Sequence, residues 1–104
     1  MNTPEQGDVL RVSGISHLAL VVSNDEFNKI GEVIVCPILN GIGENAIHPS
    51  VIIQKPGGEE QGVVACEHLR HLDLHTRHFS KAGTVGDFQF MDISDILIAL
   101  LEYR

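Results

Sequence analysis

The segment HLALVVSNDEFNKIGEVIVCPI, residues 17–38, decides how the rest of the chain is read. Its first part, His17–Ser23, is a short β-rich run bounded by turn signals, which predicts a central strand buried on both faces. Ser23 followed three positions later by Glu26 has the form of a capping box, and Phe27 and Ile30 continue at helical spacing. One or two helical turns are expected there, ended by Gly31. Glu32–Pro37 predicts another strand, stopped by Pro37 because proline has no N–H to give a ladder.

Toward the N-terminus, Asp8–Ser13 alternates, with Leu10 and Val12 flanking Arg11 as in a half-buried strand, and Gly14 turns the chain. Toward the C-terminus, Leu39–Ser50 (LNGIGENAIHPS) is loop by composition. Val51–Gln54 resumes an extended run, Lys55–Gln61 (KPGGEEQ) reads as a turn, and Gly62–Cys66 as the next strand. Phe79–Val85 is a further strand, broken by Gly86. From Asp87, the expected N-cap, the period changes. Phe90, Ile93, Ile96, Leu97, Leu100 and Leu101 project to one side of a helix at about 100° per residue, with Asp92, Asp95 and Glu102 on the other. That stripe is expected to bury against a sheet or a second copy. Short strands in a row with one terminal helix imply a mainly β or α+β antiparallel barrel or sandwich, in one domain over residues 1–104.

Composition narrows the function. The 104 residues are 43% apolar and 20% charged, too apolar for disorder and long enough for one self-sufficient core. No apolar run approaches the roughly 20 residues of a membrane span. MNTPEQGDVLRV has no basic start before an apolar block, so a secretory signal is not expected. The net charge of −7 disfavours broad electrostatic capture of RNA, DNA or an anionic membrane, so any nucleic-acid contact has to be local. Cys36 and Cys66 end apolar runs and are expected to be reduced, buried thiols of a cytoplasmic protein. No CxxC spacing exists for a zinc ribbon. No alternating β-α pattern or glycine-rich phosphate loop exists for a nucleotide-binding sheet.

The densest chemistry lies in EHLRHLDLHTRHF. On one continuous helix, His68, His71, His75 and His78 would fall within an arc of about 80°. Leu72 and Phe79 would share that face while Leu69 and Leu74 pointed elsewhere, leaving no coherent apolar stripe. A helical turn through Asp73 followed by an extended segment fits better, with the four imidazoles on a solvated surface and no metal held. From spacing alone Arg70 and Asp73 read first as an exposed pair that stabilises a tight turn, worth well under ~1 kcal/mol. The functional reading is that Arg70 and Arg77 supply the local positive charge that the acidic whole lacks.

The blocks ALVVSNDEFN (19–28), VIVCPI (33–38) and GVVACEHLRHLDLHTR (62–77), with GDV at the first strand and KAGTV before a terminal helix, resemble in order and spacing the PemK/MazF family of bacterial toxins. The resemblance implies a small SH3-like barrel with a C-terminal helix, a homodimer, and a cofactor-free, metal-independent endoribonuclease. In such enzymes the RNA's own 2′-hydroxyl attacks the adjacent phosphate to give a 2′,3′-cyclic phosphate. That chemistry needs a proton acceptor, a proton donor and positive groups at the phosphate, but no nucleophile on the protein.

The sequence also departs from the family pattern. The long loop between the first two strands is reduced to Ser13-Gly14-Ile15-Ser16, and His17-Leu18 stands where Arg-Pro is usual. Leu39 replaces a usual threonine and is followed by Asn40. The catalytic set expected from the resemblance is therefore His17 as proton carrier, Glu67 as its acid–base or orienting partner, and Arg70 at the phosphate. Arg11, Asn40 and Arg77 are the expected RNA contacts. A cognate antitoxin, engaging through a segment that folds on contact, is the expected protein partner, with no membrane association. The alternative on the same scaffold is a catalytically silent or topoisomerase-targeting binding protein resembling CcdB.

Overall fold

Two long-range pairings of one strand organise the molecule. In the computed structural model, which describes residues 3–102, the elements run β1 (Asp8–Val12), β2 (Leu18–Val21), α1 (Asp25–Asn28), β3 (Glu32–Leu39), β4 (Ser50–Lys55), β5 (Gly58–Val64), β6 (Arg70–Asp73), β7 (Phe79–Val85) and α2 (Asp87–Leu101). Antiparallel pairing follows β2–β1–β7–β4–β5–β3, and β3 returns to β2, closing six strands into a barrel without free edges. β6 is an appended seventh strand on the first half of β3, where Val35 pairs with Arg70 and Val33 with Leu72. The fold is mainly β with a C-terminal helix, as expected.

β3 runs through Pro37 to Leu39 instead of stopping at the proline. Pro37 pairs with Ala19 on the β2 side, and its carbonyl accepts from the Ala65 N–H at 3.0 Å on the other. Its missing N–H faces the gap where β3 exchanges β6 for β5, so no ladder bond is lost. The expected Ser23 cap is also displaced by one residue. Asn24 Oδ1 accepts from the Phe27 N–H at 2.8 Å, whereas Ser23 Oγ accepts from the Ile34 N–H at 3.0 Å and donates to Asn28 Oδ1. Asn28, fully buried, spends its amide on the Pro4 and Ser23 carbonyls and so ties the N-terminal segment to α1.

Two further expectations are corrected. The turn read at Lys55–Gln61 is only Pro56-Gly57, with Gly57 at φ 86° after a proline, as a type II turn requires. The strand after it begins at Gly58 and ends at Val64, not at Cys66. Its polar start is held across the hairpin by Gln54 to Glu59 (2.9 Å) and Lys55 to Glu60 (2.7 Å). The helical turn expected through Asp73 is instead β6, because pairing with β3 outweighs the weak helical spacing of the histidines.

The sheet is buried on both faces around β1, β2 and β3. On one face Val9, Leu20, Cys36, Ile38, Val51, Ile53, Val64 and Val85 pack with Ile93 of α2, flanked by Phe90, Ile96 and Leu97. On the other, Leu10, Val12, Ala19, Val21, Val33 and Val35 pack under Leu72 and Leu74. α2 begins at Asp87, so its N-cap is Gly86, without a side-chain hydrogen bond. Leu100 and Leu101, expected in the buried stripe, are 42% and 73% exposed at the end of the helix, and Phe88, Met91 and Ile98 are exposed as well. Among the described residues no helix is long and apolar enough to cross a membrane.

Candidate functional site

The β2–β3–β6 pairings set three strand ends side by side. Val35, Pro37 and Leu39 alternate onto one face of β3. Arg70, the first residue of β6, pairs with Val35 and so projects to that same face, while His17 immediately precedes Leu18 at the start of β2. These residues, with Ile15, His68 and Leu69, line a cleft of about 410 Å³. Its walls are apolar apart from two imidazoles and one guanidinium, and among the described residues no carboxylate lines it. A low-polarity wall strengthens the field of Arg70 on a bound anion. His17 is half-buried, and its Nδ1 lies 3.1 Å from the Leu18 carbonyl oxygen. A carbonyl only accepts, so in the neutral ring Nδ1 carries the hydrogen and Nε2 keeps its lone pair.

His17 also lines an adjoining hollow of about 230 Å³ with Arg11, Asn40 and Glu60. Arg11 is the exposed residue of β1, and Asn40 directly follows β3. The Lys55 hydrogen bond holds the Glu60 carboxyl below its ordinary range, and the Arg11 charge adds to this.

Glu67 does not line the cleft. It follows β5 in the turn closed by the His68 N–H to the Ala65 carbonyl, and both carboxylate oxygens meet His48 Nε2, at 2.8 and 2.9 Å. Asn45 orients this pair. Its Oδ1 accepts from the Ile47 N–H (2.9 Å), which turns its amide nitrogen toward His48 Nδ1 (3.1 Å) and leaves the Nε2 hydrogen for Glu67. The His48 hydrogen bond, then the backbone N–H of Glu67, hold the Glu67 carboxyl below its ordinary value. The same carboxylate lies 3.6 Å from Nε2 of His68, whose ring reaches the cleft. Arg77 is elsewhere. Its Nη1 donates to the Ser13 carbonyl at 3.2 Å, and it lines a separate hollow of about 360 Å³ with Asp8, His78 and Lys81.

The four late histidines do not meet. His68 goes to Glu67, His71 to Glu32 and His75 to Asp73, while His78 lies beside Arg77. Among the described residues no three His, Cys, Asp or Glu side chains are grouped to hold a metal. Cys36 and Cys66 are buried and free, and burial pushes their thiols up to about 12 and about 11, so neither is a nucleophile near neutral pH. Sequence reasoning missed His48 and the separate part played by His68. Nothing local marks His48, since its partner comes from another loop.

Residues 5–101 match the family model described as PemK-like, MazF-like toxin of type II toxin–antitoxin systems. The endoribonuclease toxin ChpB of Escherichia coli (strain K12) is 33% identical over 95 residues, covering 80% of this chain and 81% of its own. Among solved structures, a MazE–MazF crystal structure from Deinococcus radiodurans superposes with a TM-score of 0.80 at 22% identity, over 97% of this chain and 98% of that one. An endoribonuclease from a mycobacterial species gives 0.77 at 22% identity, over 97% and 93%. At those identities the two structures establish the barrel fold.

Proposed function

The chain belongs to the PemK-like, MazF-like toxins of type II toxin–antitoxin systems, and from that membership we propose that it is a metal-independent endoribonuclease cleaving single-stranded RNA to a 2′,3′-cyclic phosphate. The observation that carries the proposal is the joint lining of one carboxylate-free cleft by His17 and Arg70. A phosphodiester seated there meets a permanent cation able to grip two oxygens, and an imidazole with a free lone pair. His17 takes the proton of the 2′-hydroxyl as its oxygen attacks phosphorus. Arg70 stabilises the charge that builds on the non-bridging oxygens.

Glu67 acts from outside the cleft as an orienting group. Arg11 and Asn40, across His17 in the adjoining hollow, hold the neighbouring nucleotide. Arg77 contacts phosphate farther along the strand. Three contacts of this kind allow an acidic protein to bind RNA locally.

The protein partner is a cognate antitoxin, a reading supported by the relative solved as a MazE–MazF complex. A homodimer is supported by the exposed apolar side chains of α2, among them Phe88, Met91, Ile98 and Leu101, which one copy leaves uncovered. The compartment is the cytoplasm, where messenger RNA is exposed.

The test is incubation of purified protein with mixed-sequence RNA in excess EDTA. Discrete fragments are expected, with the rate lowered about 10²–10⁴-fold in His17→Ala. Equal cleavage by the variant would remove His17 from the site. Absence of cleavage by the wild type would move the protein to the silent or topoisomerase-targeting class.

A further inference from the structure

We propose that His68 is a second catalytic imidazole, the proton donor to the departing 5′-oxygen, in the cleft it lines together with His17. The inference rests on the nuclease reading and adds to it the group that completes the reaction. Cyclisation needs two proton transfers. The 2′-oxygen forms its bond to phosphorus and loses its proton, while the bond from phosphorus to the 5′-oxygen breaks and that oxygen gains one. The products are a 2′,3′-cyclic phosphate and a 5′-hydroxyl, with no net proton gained or lost.

The cleft is lined by Ile15, Val35, Pro37, Leu39, Leu69, His17, His68 and Arg70, and only the two imidazoles among these exchange protons near neutrality. Arginine stays charged and the rest are apolar. Leu39, where the resemblance leads one to expect threonine, supplies no hydroxyl. Glu67, the acidic residue nearest in sequence, is turned toward His48.

Tautomer geometry gives the two rings different tasks. The Leu18 carbonyl fixes the hydrogen of neutral His17 on Nδ1, so Nε2 accepts. At His68, Nε2 faces the Glu67 carboxylate at 3.6 Å, beyond a hydrogen bond but within ion-pair range. The carboxylate orients the ring at the cleft, and the imidazolium form of His68 has a proton to give away. Glu67, anchored by His48 and through it by Asn45, is the positioning residue that holds the donor at the cleft. The charged and titratable groups facing this pair of imidazoles are Arg11, Glu60, Arg70, Glu67 and, behind Glu67, His48.

A base and an acid acting together give a bell-shaped dependence of kcat on pH, and removing the acid removes the alkaline limb. The experiment compares wild type, His68→Ala and His17→Ala across pH 5–9. Two substrates are used: an RNA oligonucleotide and its analogue with sulfur at the 5′-bridging position, whose thiolate leaves without a proton. His68 is exposed, with 67% of its side chain in solvent, so the substitution leaves the fold intact.

His68→Ala is expected to lose about 10²-fold or more on the oxygen substrate, to lose the alkaline limb, and to recover near wild-type rates on the sulfur substrate. His17→Ala recovers on neither. An active wild type with an unchanged His68→Ala profile, or a His68→Ala defect equally large on both substrates, overturns this inference and leaves the nuclease reading standing. A wild type inert on both substrates overturns the two together.

Discussion

Ile93 is the α2 residue that seats the helix on the barrel, being wholly buried among Val9, Leu20, Ile53 and Val85. Replacing it with alanine removes three carbon atoms, about 2.4 kcal/mol of transfer free energy at about 0.8 per methylene. Incomplete relaxation around the hole adds a cavity cost, and large-to-small changes of this kind run at about 2–5 kcal/mol. The higher helix propensity of alanine returns a few tenths. The net expectation is about 3 kcal/mol, a large share of the roughly 5–15 kcal/mol that holds a small domain together.

For a domain of this size the melting temperature should fall by about 12–24 °C, at about 4–8 °C per kcal/mol. Urea unfolding at matched protein concentration measures this, since association changes apparent stability. The midpoint should drop while the slope stays fixed. Asp95→Ala, on the exposed side of the same helix, is the control and should stay within about 0.5 kcal/mol. No residue of α2 lines the cleft, so the folded fraction of Ile93→Ala should cleave RNA at the wild-type rate. A loss below about 1 kcal/mol, or one matched by Asp95→Ala, would refute the docking of α2 described above.

The remaining predictions concern the barrel and its acid stability. Gly83 pairs with Val9, and a Cβ there would stand 2.5 Å from the Gln54 carbonyl oxygen and 2.7 Å from Ile53 Cγ2. Because backbone cannot yield as a side chain can, Gly83→Ala should cost about 1–3 kcal/mol, read as a lower urea midpoint. The His48 hydrogen bond depresses the Glu67 carboxyl below 4.5, so its contribution is present above that pH and disappears as pH falls through the lower folded value. The urea midpoint of Glu67→Gln should therefore lie below wild type at pH 6, and the gap should shrink as the pH falls below 4.5. A gap that stayed constant with pH would mean that packing, not charge, is what Glu67 contributes.

Where the chain's pattern is local, the sequence is a good guide. Leu18–Val21 and Val33–Cys36 are continuous apolar runs because both faces are covered, and α2 declares itself by a change of period. Gly58–Gln61 and Arg70–Asp73 are not legible in that way. Glu59, Glu60 and Gln61 have little strand preference and are held by partners across a two-residue turn, while β6 buries only Leu72 fully and is placed by β3.

The same distinction governs the site. His17 and Arg70 belong to distant segments, and only the β2–β3 and β3–β6 pairings make them neighbours of one cleft. The family resemblance pointed to both, but neither is marked by its own surroundings. Glu67, too, enters through the resemblance. Its engagement by His48, and through that the emergence of His68 as the residue facing the cleft, depends on a loop whose conformation no short motif encodes.

The central claim is that an acidic barrel cleaves RNA by presenting a guanidinium and imidazole to one phosphodiester and letting the substrate attack itself. Its most direct test is a cleavable oligonucleotide resynthesised with a single deoxyribose on the 5′ side of the scissile phosphate. The account predicts that this one missing hydroxyl abolishes cleavage there while binding persists, and that the unmodified strand yields a 2′,3′-cyclic phosphate end. Cleavage of the deoxy-substituted strand at an undiminished rate would contradict it.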